Sequence, residues 1–282
     1  ITALHYFERN AWNSFSGIAR GINSVDRMRA EKYDLVIDLQ GLARSALHGW
    51  AVRGRYTIGL DQCREGATLF YDVSVTRPDV YAHAVDWNLA VLREIGLRTE
   101  GSYEWLPERP WIAERLFDLG YHNKYRWVAL CPGARWESKR WPIESFEKLI
   151  KNFDSPDVRF VIIGGKSDQA IGRRLVNLGR VLDLTGRTSL PETIEWMRVC
   201  SKVVTNDTGP MHIAAALGVR VVALFGPTDP RRTGPYNAPS AVLQNDQLDC
   251  IPCLNKDCDY LRERECMRLI TPKMVIEALN LC

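Results

Sequence analysis

Residues 203–230 read VVTNDTGPMHIAAALGVRVVALFGPTDP. Two runs rich in β-branched residues, 202–206 and 219–226, flank a short stretch of helix formers, PMHIAAAL. Runs of this length and composition read as strands, with a helix between them. A strand, a helix and a second strand in succession make a crossover, so the two strands lie parallel. Gly218 stands where the helix needs a left-handed residue to end it. Each strand runs into a polar turn: Asp207, Thr208, Gly209 and His212 after the first, Gly226, Pro227 and Thr228 after the second. In open parallel sheets, ligands gather at such turns, outside the carboxyl ends of the strands.

The same rhythm extends on both sides. WVALCPG (127–133), VRFVIIGG (158–165), VLDLTG (181–186) and SAVLQ (240–244) read as further strands. Between the first two lies PIESFEKLIKNF (142–153), with Phe146, Leu149, Ile150 and Phe153 at helical spacing. Ser167 or Asp168 suits the cap of the next helix. Ser189-Leu190-Pro191-Glu192 fits a capping box with proline in the first turn. Alternating strands and helices predict a parallel sheet covered on both faces.

The first half repeats the design in a thinner form. YDLVIDLQG (33–41), RYTIGL (55–60) and YDVSV (71–75) read as strands, and 81–96 as a helix. Residues 97–125 read as a connection, in which Pro107 and Pro110 precede a short helix, WIAERLFDLG. The expected domains are 1–120 and 121–282, both α/β and Rossmann-like. A sheet of three strands with an uncovered edge implies one or two βα units ahead of Ile1. A first residue that is not methionine fits a fragment or a processed product.

Bulk properties narrow the function classes. The chain has 282 residues, 46% hydrophobic and 25% charged, which is ordinary globular usage. A net charge of +3 gives no argument for nucleic acid. The longest apolar candidate, IAAALGVRVVALFG, is interrupted by Arg220 and falls short of a membrane span. No secretory leader is legible, so a cytoplasmic, reducing location is expected. Of eight cysteines, Cys63, Cys131, Cys200 and Cys282 are scattered and read as ordinary thiols. Cys250, Cys253, Cys258 and Cys266 cluster as C-x2-C-x4-C-x7-C. Four thiolates suit a tetrahedral zinc site, although the spacing is no standard finger and a packed, reduced loop fits equally well. The triplet Asp257-Cys258-Asp259 resembles a metal-binding D-x-D but lies far from the phosphate-type turns.

The polar turns suit an anion. At DTGP, Asp207 or Thr208 can cap the helix, Gly209 admits a ligand to the backbone, and Pro210 fits the first helical turn. The helix N-terminus then favours a diphosphate, with His212 as a donor, although capping alone also explains the Asp and Thr. CPGARWESKRWP (131–142) leaves a neighbouring strand at the same edge and brings Lys139 and Arg140. TGRTSLPE (185–192) is a third loop there, and Asp183 or Glu192 can take a ribose hydroxyl or be structural. In the first half, IDLQGLARSAL (37–47) offers Gln40, Gly41, Arg44 and Ser45, and GLDQCRE (59–65) offers Arg64 and Glu65. With Arg53 and Arg55 these read either as an anion-facing set or as a solvated arginine-rich face.

GARWESKRWP, VVTNDTGPMHIAAALG, ALFGPTDP and the closing CIPC…CM…ITPKMV resemble glycosyltransferase family 9, the lipopolysaccharide heptosyltransferases. IDLQGLARSAL and GLDQCREGATLFYD resemble that family's acceptor-domain motifs, so the resemblance runs from about residue 30 to the end. It implies a GT-B fold, with two Rossmann-like domains facing a central cleft. It implies an inverting transfer of heptose from ADP-heptose to the Kdo/heptose inner core on lipid A, at the inner membrane surface, with no cofactor and no metal in the chemical step. By position, Lys139, Asp207, Thr208, Gly209 and His212 meet the donor, joined by Ala134, Arg135 and Asp183. Gln40, Arg44 and Arg64 fall on the acceptor side. The family's base is an Asp in a Gly-Asp loop after the first strand, which places it ahead of Ile1, so no base is named here. A non-catalytic nucleotide-sugar binder and a GT-B sugar-nucleotide epimerase are the rival expectations.

Overall fold

The computed structural model describes residues 3–5, 15–61, 64–100, 106–260 and 262–281. Cys63, Cys282 and the Arg64 side chain, all named above, lie outside the described residues. The chain divides into two compact units, Ile1–Gly101 and Ser102–Cys282.

The first unit carries helix α1 (Phe15–Ala30), strand β1 (Leu35–Asp38), helix α2 (Ala43–Val52), strands β2 (Tyr56–Leu60) and β3 (Val73–Val75), and helix α3 (Ala84–Glu94). The three strands are parallel in the order β1-β2-β3. Ile58, Leu60 and Val75 bury one sheet face against Val91 and Trp87 of α3. The Trp87 indole N–H donates to the Val75 carbonyl at 3.1 Å, which fixes that helix to the sheet edge. Gly59 in β2 lies beneath the Tyr71 ring, where a Cβ would come within 2.4 Å of the ring carbons. The missing side chain lets Tyr71 lie across the strand and donate its hydroxyl to Asp38 at 2.7 Å.

The second unit carries α4 (Pro110–Asp118), β4 (Arg126–Cys131), α5 (Ile143–Asn152), β5 (Val158–Ile162), α6 (Gln169–Val176), β6 (Val181–Asp183) and α7 (Leu190–Val199). It continues with β7 (Lys202–Asn206), α8 (Gly209–Ala216), β8 (Arg220–Phe225), α9 (Pro230–Thr233), β9 (Ser240–Gln244), α10 (Glu265–Arg268) and α11 (Pro272–Leu281). All six strands are parallel, in the order β6-β5-β4-β7-β8-β9.

Strand period 2 divides the core between the two faces. Val128 and Leu130 of β4 point with Phe160, Val204 and Leu224 toward Phe146 and Leu149 of α5 and Val275 and Leu279 of α11. Trp127, Ala129 and Cys131 point the other way, with Val203 and Ala223, toward Leu116, Trp196 and Met211. Both faces are covered, so each strand reads as a continuous apolar run rather than an alternating one. Helix α4 packs with α7 in this second unit. The expected box at Ser189 is present: its hydroxyl accepts from the Glu192 N–H at 3.4 Å, and the Glu192 carboxylate accepts from the Ser189 N–H at 2.8 Å. Gly218 closes α8 at φ +69°, as its position required.

Phe146 is fully buried and meets the Trp141 ring edge-on at 4.7 Å. Phe146→Ala removes that contact and leaves a cavity under the loop after β4, so it is expected to destabilise the second unit by about 3–5 kcal/mol. Urea unfolding of the wild type and the variant measures the loss.

Candidate functional site

The second sheet changes direction between β4 and β7. The chain enters at β4, winds outward through β5 and β6, then returns to the other side of β4 at β7 and winds outward again. The loops after β4 and β7 therefore leave adjacent strands in opposite directions and open a crevice between them. Every anion-type turn named from the sequence in this unit lies at that carboxyl edge.

Two consecutive side chains at the end of β7 hold the crevice together. Asn206 is fully buried. Its amide donates to the Pro132 carbonyl at 2.8 Å and its oxygen accepts from the Trp141 N–H at 3.2 Å, so it ties both ends of the loop after β4. Asp207 is 6% exposed. Its Oδ2 accepts from Lys139 Nζ at 2.6 Å and from the Thr228 hydroxyl at 2.7 Å. One carboxylate thus gathers the loop after β4 and the loop after β8 around the end of β7. Lys139 is 18% exposed, and its ammonium also lies 4.7 Å over the Trp136 ring. An ammonium has three N–H donors, so the pair with Asp207 leaves others for a ligand.

The crevice encloses about 1060 Å³. Lys139, Arg135 and Ala134 line one side, Thr208, Gly209 and Pro210 a second, and Gly164, Gly165 and Asp168 a third. Helix α8 opens into it. Thr208 holds the N-cap position in extended backbone, φ −151° and ψ 174°, but no side chain caps the helix. This corrects the capping expected of Asp207 or Thr208: Asp207 is taken by Lys139 and Thr228, and the Thr208 hydroxyl donates to the Asn206 carbonyl at 3.3 Å. Pro210 has no N–H and the Met211 N–H donates to the Thr208 carbonyl at 3.0 Å, so the Gly209 N–H is the first-turn donor that no N-cap side chain takes. A Cβ built on Gly209 would meet no protein atom within 4 Å, so glycine there leaves space rather than avoiding a clash.

Asp168 escaped the sequence reading except as a cap. Its carboxylate is 7% exposed and accepts from the Gly165 N–H at 2.9 Å. Gly133 and Gly164 approach it so closely that a Cβ on either would come within 2.5 Å and 2.9 Å of its carboxylate oxygens. The sequence signal was the glycine pair after β5, which marks close approach of backbone to some group.

Other expected residues lie elsewhere. His212 is on α8 and exposed, and it is not among the residues lining the crevice. Asp183 accepts from the Thr185 N–H at 2.9 Å and hydroxyl at 2.7 Å, and it packs against Gly172 of α6, outside the lining. Glu192 is taken by Ser189 and by Arg115 at 3.1 Å. Arg140 lines the crevice and donates to the Ala134 carbonyl at 2.9 Å. Burial pushes the Cys131 thiol up to about 12, so it lines the crevice as a neutral group.

In the first unit, a cavity of about 600 Å³ is lined by Gln40, Arg44, Ser45, Asp38 and His48. Asp38, missed from sequence, is its organising group. It accepts from the Gln40 N–H at 2.8 Å, the Gly41 N–H at 3.2 Å, the Ser45 hydroxyl at 2.8 Å and the Tyr71 hydroxyl at 2.7 Å. Gly41 takes φ +65° to turn the chain into α2. Burial lowers the His48 pKa, which favours its neutral form.

Comparison with known proteins follows from these motifs. The family model for glycosyltransferase family 9 (heptosyltransferase) matches residues 23–262, and the chain belongs to that family. A lipooligosaccharide heptosyltransferase 2 from Campylobacter jejuni is 31% identical over 164 residues, covering 56% of this chain and 52% of that protein. A lipopolysaccharide heptosyltransferase 1 from Pseudomonas aeruginosa is 29% identical over 294 residues, covering 96% of this chain and 76% of its own length. The chain thus spans about half the length of the heptosyltransferase 2 relative. The solved structure of the Escherichia coli heptosyltransferase WaaC with ADP superposes with a TM-score of 0.73 at 23% identity, covering 97% of this chain and 80% of that one. The fold is α/β, of the GT-B class.

Asp207→Ala strands the Lys139 ammonium and the Thr228 hydroxyl together. It is expected to destabilise the second unit by about 3 kcal/mol, the lower end for breaking a buried pair because Lys139 opens to the crevice. Urea unfolding checks this value. The Glu192 carboxyl is held below the usual glutamate range, first by the Ser189 N–H, then by the Ser189 hydroxyl and Arg115. Its contribution is fully present above the unfolded value of about 4.3 and is lost as pH falls through the lowered folded value. Glu192→Gln is therefore expected to flatten the acid side of the stability–pH curve, read from thermal midpoints at about pH 7 and about pH 3.

Proposed function

We propose that this family 9 chain binds ADP-heptose in the second-unit crevice and takes part in heptose transfer to the Kdo/heptose inner core of lipopolysaccharide. The observation carrying this reading is that Lys139 and the uncapped N-terminus of α8 open on the same crevice at the point where the sheet changes direction. A diphosphate is the ligand that uses both, since helix N–H groups and an ammonium together favour dense negative charge. The likeness to a heptosyltransferase solved with ADP supports adenosine diphosphate as the carrier.

The transfer follows from that placement. The acceptor hydroxyl gives up its proton to a base outside the residues assigned here and attacks the anomeric carbon from the face opposite the diphosphate, the carbon–oxygen bond to the diphosphate breaks with its electron pair leaving on the diphosphate, and the configuration inverts. Charge develops on the leaving diphosphate oxygen, where Lys139 and the Gly209 N–H at the start of α8 stabilise it in the role that a divalent cation fills elsewhere. Thr208 and Gly209 bring backbone to the phosphates, and Ala134 and Arg135 line the neighbouring wall. In this reading Asp207 acts by aiming Lys139. His212 and Asp183 do not line the crevice and are kept here as weaker donor contacts. No residue of this chain is assigned as the base.

On the acceptor side, the proposed contacts are Gln40 and Arg44 at the first-unit cavity, joined by Arg64. Arginine suits the carboxylates and phosphates of the inner core. No helix among the described residues is long and apolar enough to cross a membrane. The proposed working place is the cytoplasmic face of the inner membrane, with peripheral contact to the lipid acceptor.

Two measurements test the reading. Titration calorimetry of this chain with ADP and with UDP is expected to show tighter ADP binding. Lys139→Met is expected to weaken ADP binding and, in a transfer assay with ADP-heptose and a Kdo-lipid acceptor, to lower kcat by about 10²–10³-fold. Gly209→Ala fills the space above the backbone, so it is expected to weaken ADP while changing stability by no more than about 1 kcal/mol. Undiminished ADP affinity in both variants rejects the crevice as the donor site. Tight ADP binding without transfer selects the non-catalytic binder.

A further inference from the structure

One exposed side of α2 reads Arg44, Leu47, Trp50 and Arg53, every third residue from the first turn to the end of the helix. A step of three residues turns a helix by about 300°, so Leu47 and Trp50 stand about 60° apart and share a side. Leu47 is 48% exposed and Trp50 57%. The chain leaving β2 comes back to this helix. Its 3-10 stretch, Arg64–Phe70, packs along α2, and the Phe70 ring meets Trp50 edge-on at 6.1 Å. Glu65 at φ +68° and Gly66 at φ +75° kink that stretch. Beyond the kink Ala67 is fully buried, while Leu69 is 87% exposed, more than any other large apolar side chain among the described residues.

Single apolar side chains on a surface are ordinary. These lie within one strand-to-strand connection and the helix beside it, and none of them joins the buried cluster of the first sheet. Their surroundings are basic. Between Asp38 and Asp61 the sequence carries Arg44, Arg53 and Arg55 and no Asp or Glu. Arg53 and Arg55 are exposed, and Arg55 lies 5.6 Å over the ring of Tyr56, itself exposed. Of the acids in the adjoining stretch, Asp72 accepts from the Thr57 N–H at 2.7 Å, and Glu65 is at the opposite end of the 3-10 stretch from Phe70. An apolar ridge with aromatic rings and arginine flanks suits the boundary between headgroups and acyl chains, where the rings lie at headgroup level and the cations meet anionic lipid. A second copy of this chain suits it less. A two-fold contact sets the patch against itself and brings arginines against arginines.

We propose that Leu47, Trp50, Leu69 and Phe70, flanked by Arg53 and Arg55, form the surface by which the first unit docks on a bilayer carrying anionic lipid. The inference deepens the proposed transfer to a lipid-linked acceptor and rests on that reading. Arg44 belongs both to the α2 stripe and to the lining of the first-unit cavity of about 600 Å³. Docking through the stripe therefore holds that cavity close to the headgroup plane, from which a lipid-anchored sugar projects.

Co-sedimentation of the full chain with lipid vesicles, in the absence of donor and acceptor, tests the proposal. Wild type is expected to bind phosphatidylcholine vesicles containing about 30% phosphatidylglycerol at least about tenfold more tightly than pure phosphatidylcholine vesicles. Trp50→Ser and Leu69→Ser, each alone, are expected to weaken binding to the anionic vesicles about tenfold. Arg53→Glu is expected to weaken binding to the anionic vesicles alone. Trp111→Ser, at a tryptophan 67% exposed in the second unit, is expected to change neither. Unchanged thermal midpoints show that the variants fold. ADP affinity in solution is measured separately and reports on the donor reading, so failure of one reading is distinguished from failure of the other. The proposal is overturned if wild type sediments with neither vesicle, if both serine variants bind as wild type does, or if wild type is a dimer that Trp50→Ser makes monomeric, which makes the patch an interface between copies.

Discussion

The arrangement of the second unit turns on the Asp207 carboxylate. It is nearly removed from solvent at the end of a central strand, where an ionised group is tolerated only with partners. Its partners come from two loops far apart in sequence: Lys139, 68 residues earlier, and Thr228, 21 residues later. Satisfying one charge therefore fixes the loop after β4 and the loop after β8 at the same place. Asn206, its neighbour, does the same for Pro132 and Trp141. The short helix α8 then leaves from a turn whose side chains, Asp207 and Thr208, are engaged elsewhere. Its first residue, Gly209, lines the crevice with an N–H that no side chain caps, because the residues that ordinarily cap such a helix are already committed.

That commitment has a counterpart in the sheet. Parallel strands bury both faces, so their side chains are used in packing, and polar groups can be displayed only at the ends. The carboxyl ends of β4 and β7 are adjacent, yet their chains depart in opposite directions. The crevice is a consequence of winding order. The residues that furnish it are set by which side chains the strand ends can still spare: Lys139 and Gly209 line it, while Asn206 and Asp207 hold the walls.

Much of this was legible in the sequence, and the limits have physical causes. The six strands of the second unit announce themselves as β-branched runs bounded by glycine and proline, and the helices 143–152 and 190–199 by apolar spacing and a capping box. Those signals are local. Helix α1 was passed over: FSGIARGINSVDRMRA holds two glycines and begins with no acidic residue in its first turn, so propensity argued weakly for it. The role of Asp207 was half read, because a local rule makes an Asp before a helix a cap, and only folding reveals the ammonium 68 residues away. Asp38 was missed, and Asp168 was read only as a cap, which its side chain does not provide, for the same reason. Each organises a loop by accepting backbone or hydroxyl protons, and a single sequence carries no mark that separates such an Asp from an exposed one. Conversely, Asp183 and Glu192 looked available in sequence, and local turn chemistry had already used them.

The Lys139–Asp207 pair also constrains how an anion is held. A lysine beside an aspartate at 2.6 Å is a dipole rather than a free positive charge, and the net charge of the chain is only +3. Long-range attraction is therefore weak, and selectivity has to come from geometry at short range. In a crevice partly screened from water, two unit charges about 4 Å apart interact by roughly 4 kcal/mol rather than the roughly 1 kcal/mol of bulk water. At that range the orientation of the ammonium and of the Gly209 N–H decides which oxygens are stabilised. A ligand with one diffuse negative charge gains little from such a site. A diphosphate, with several oxygens close together, can meet the ammonium and the Gly209 N–H at once. The aspartate that weakens the field at a distance is the same group that fixes the ammonium in place, so directional binding and weak long-range attraction have one cause.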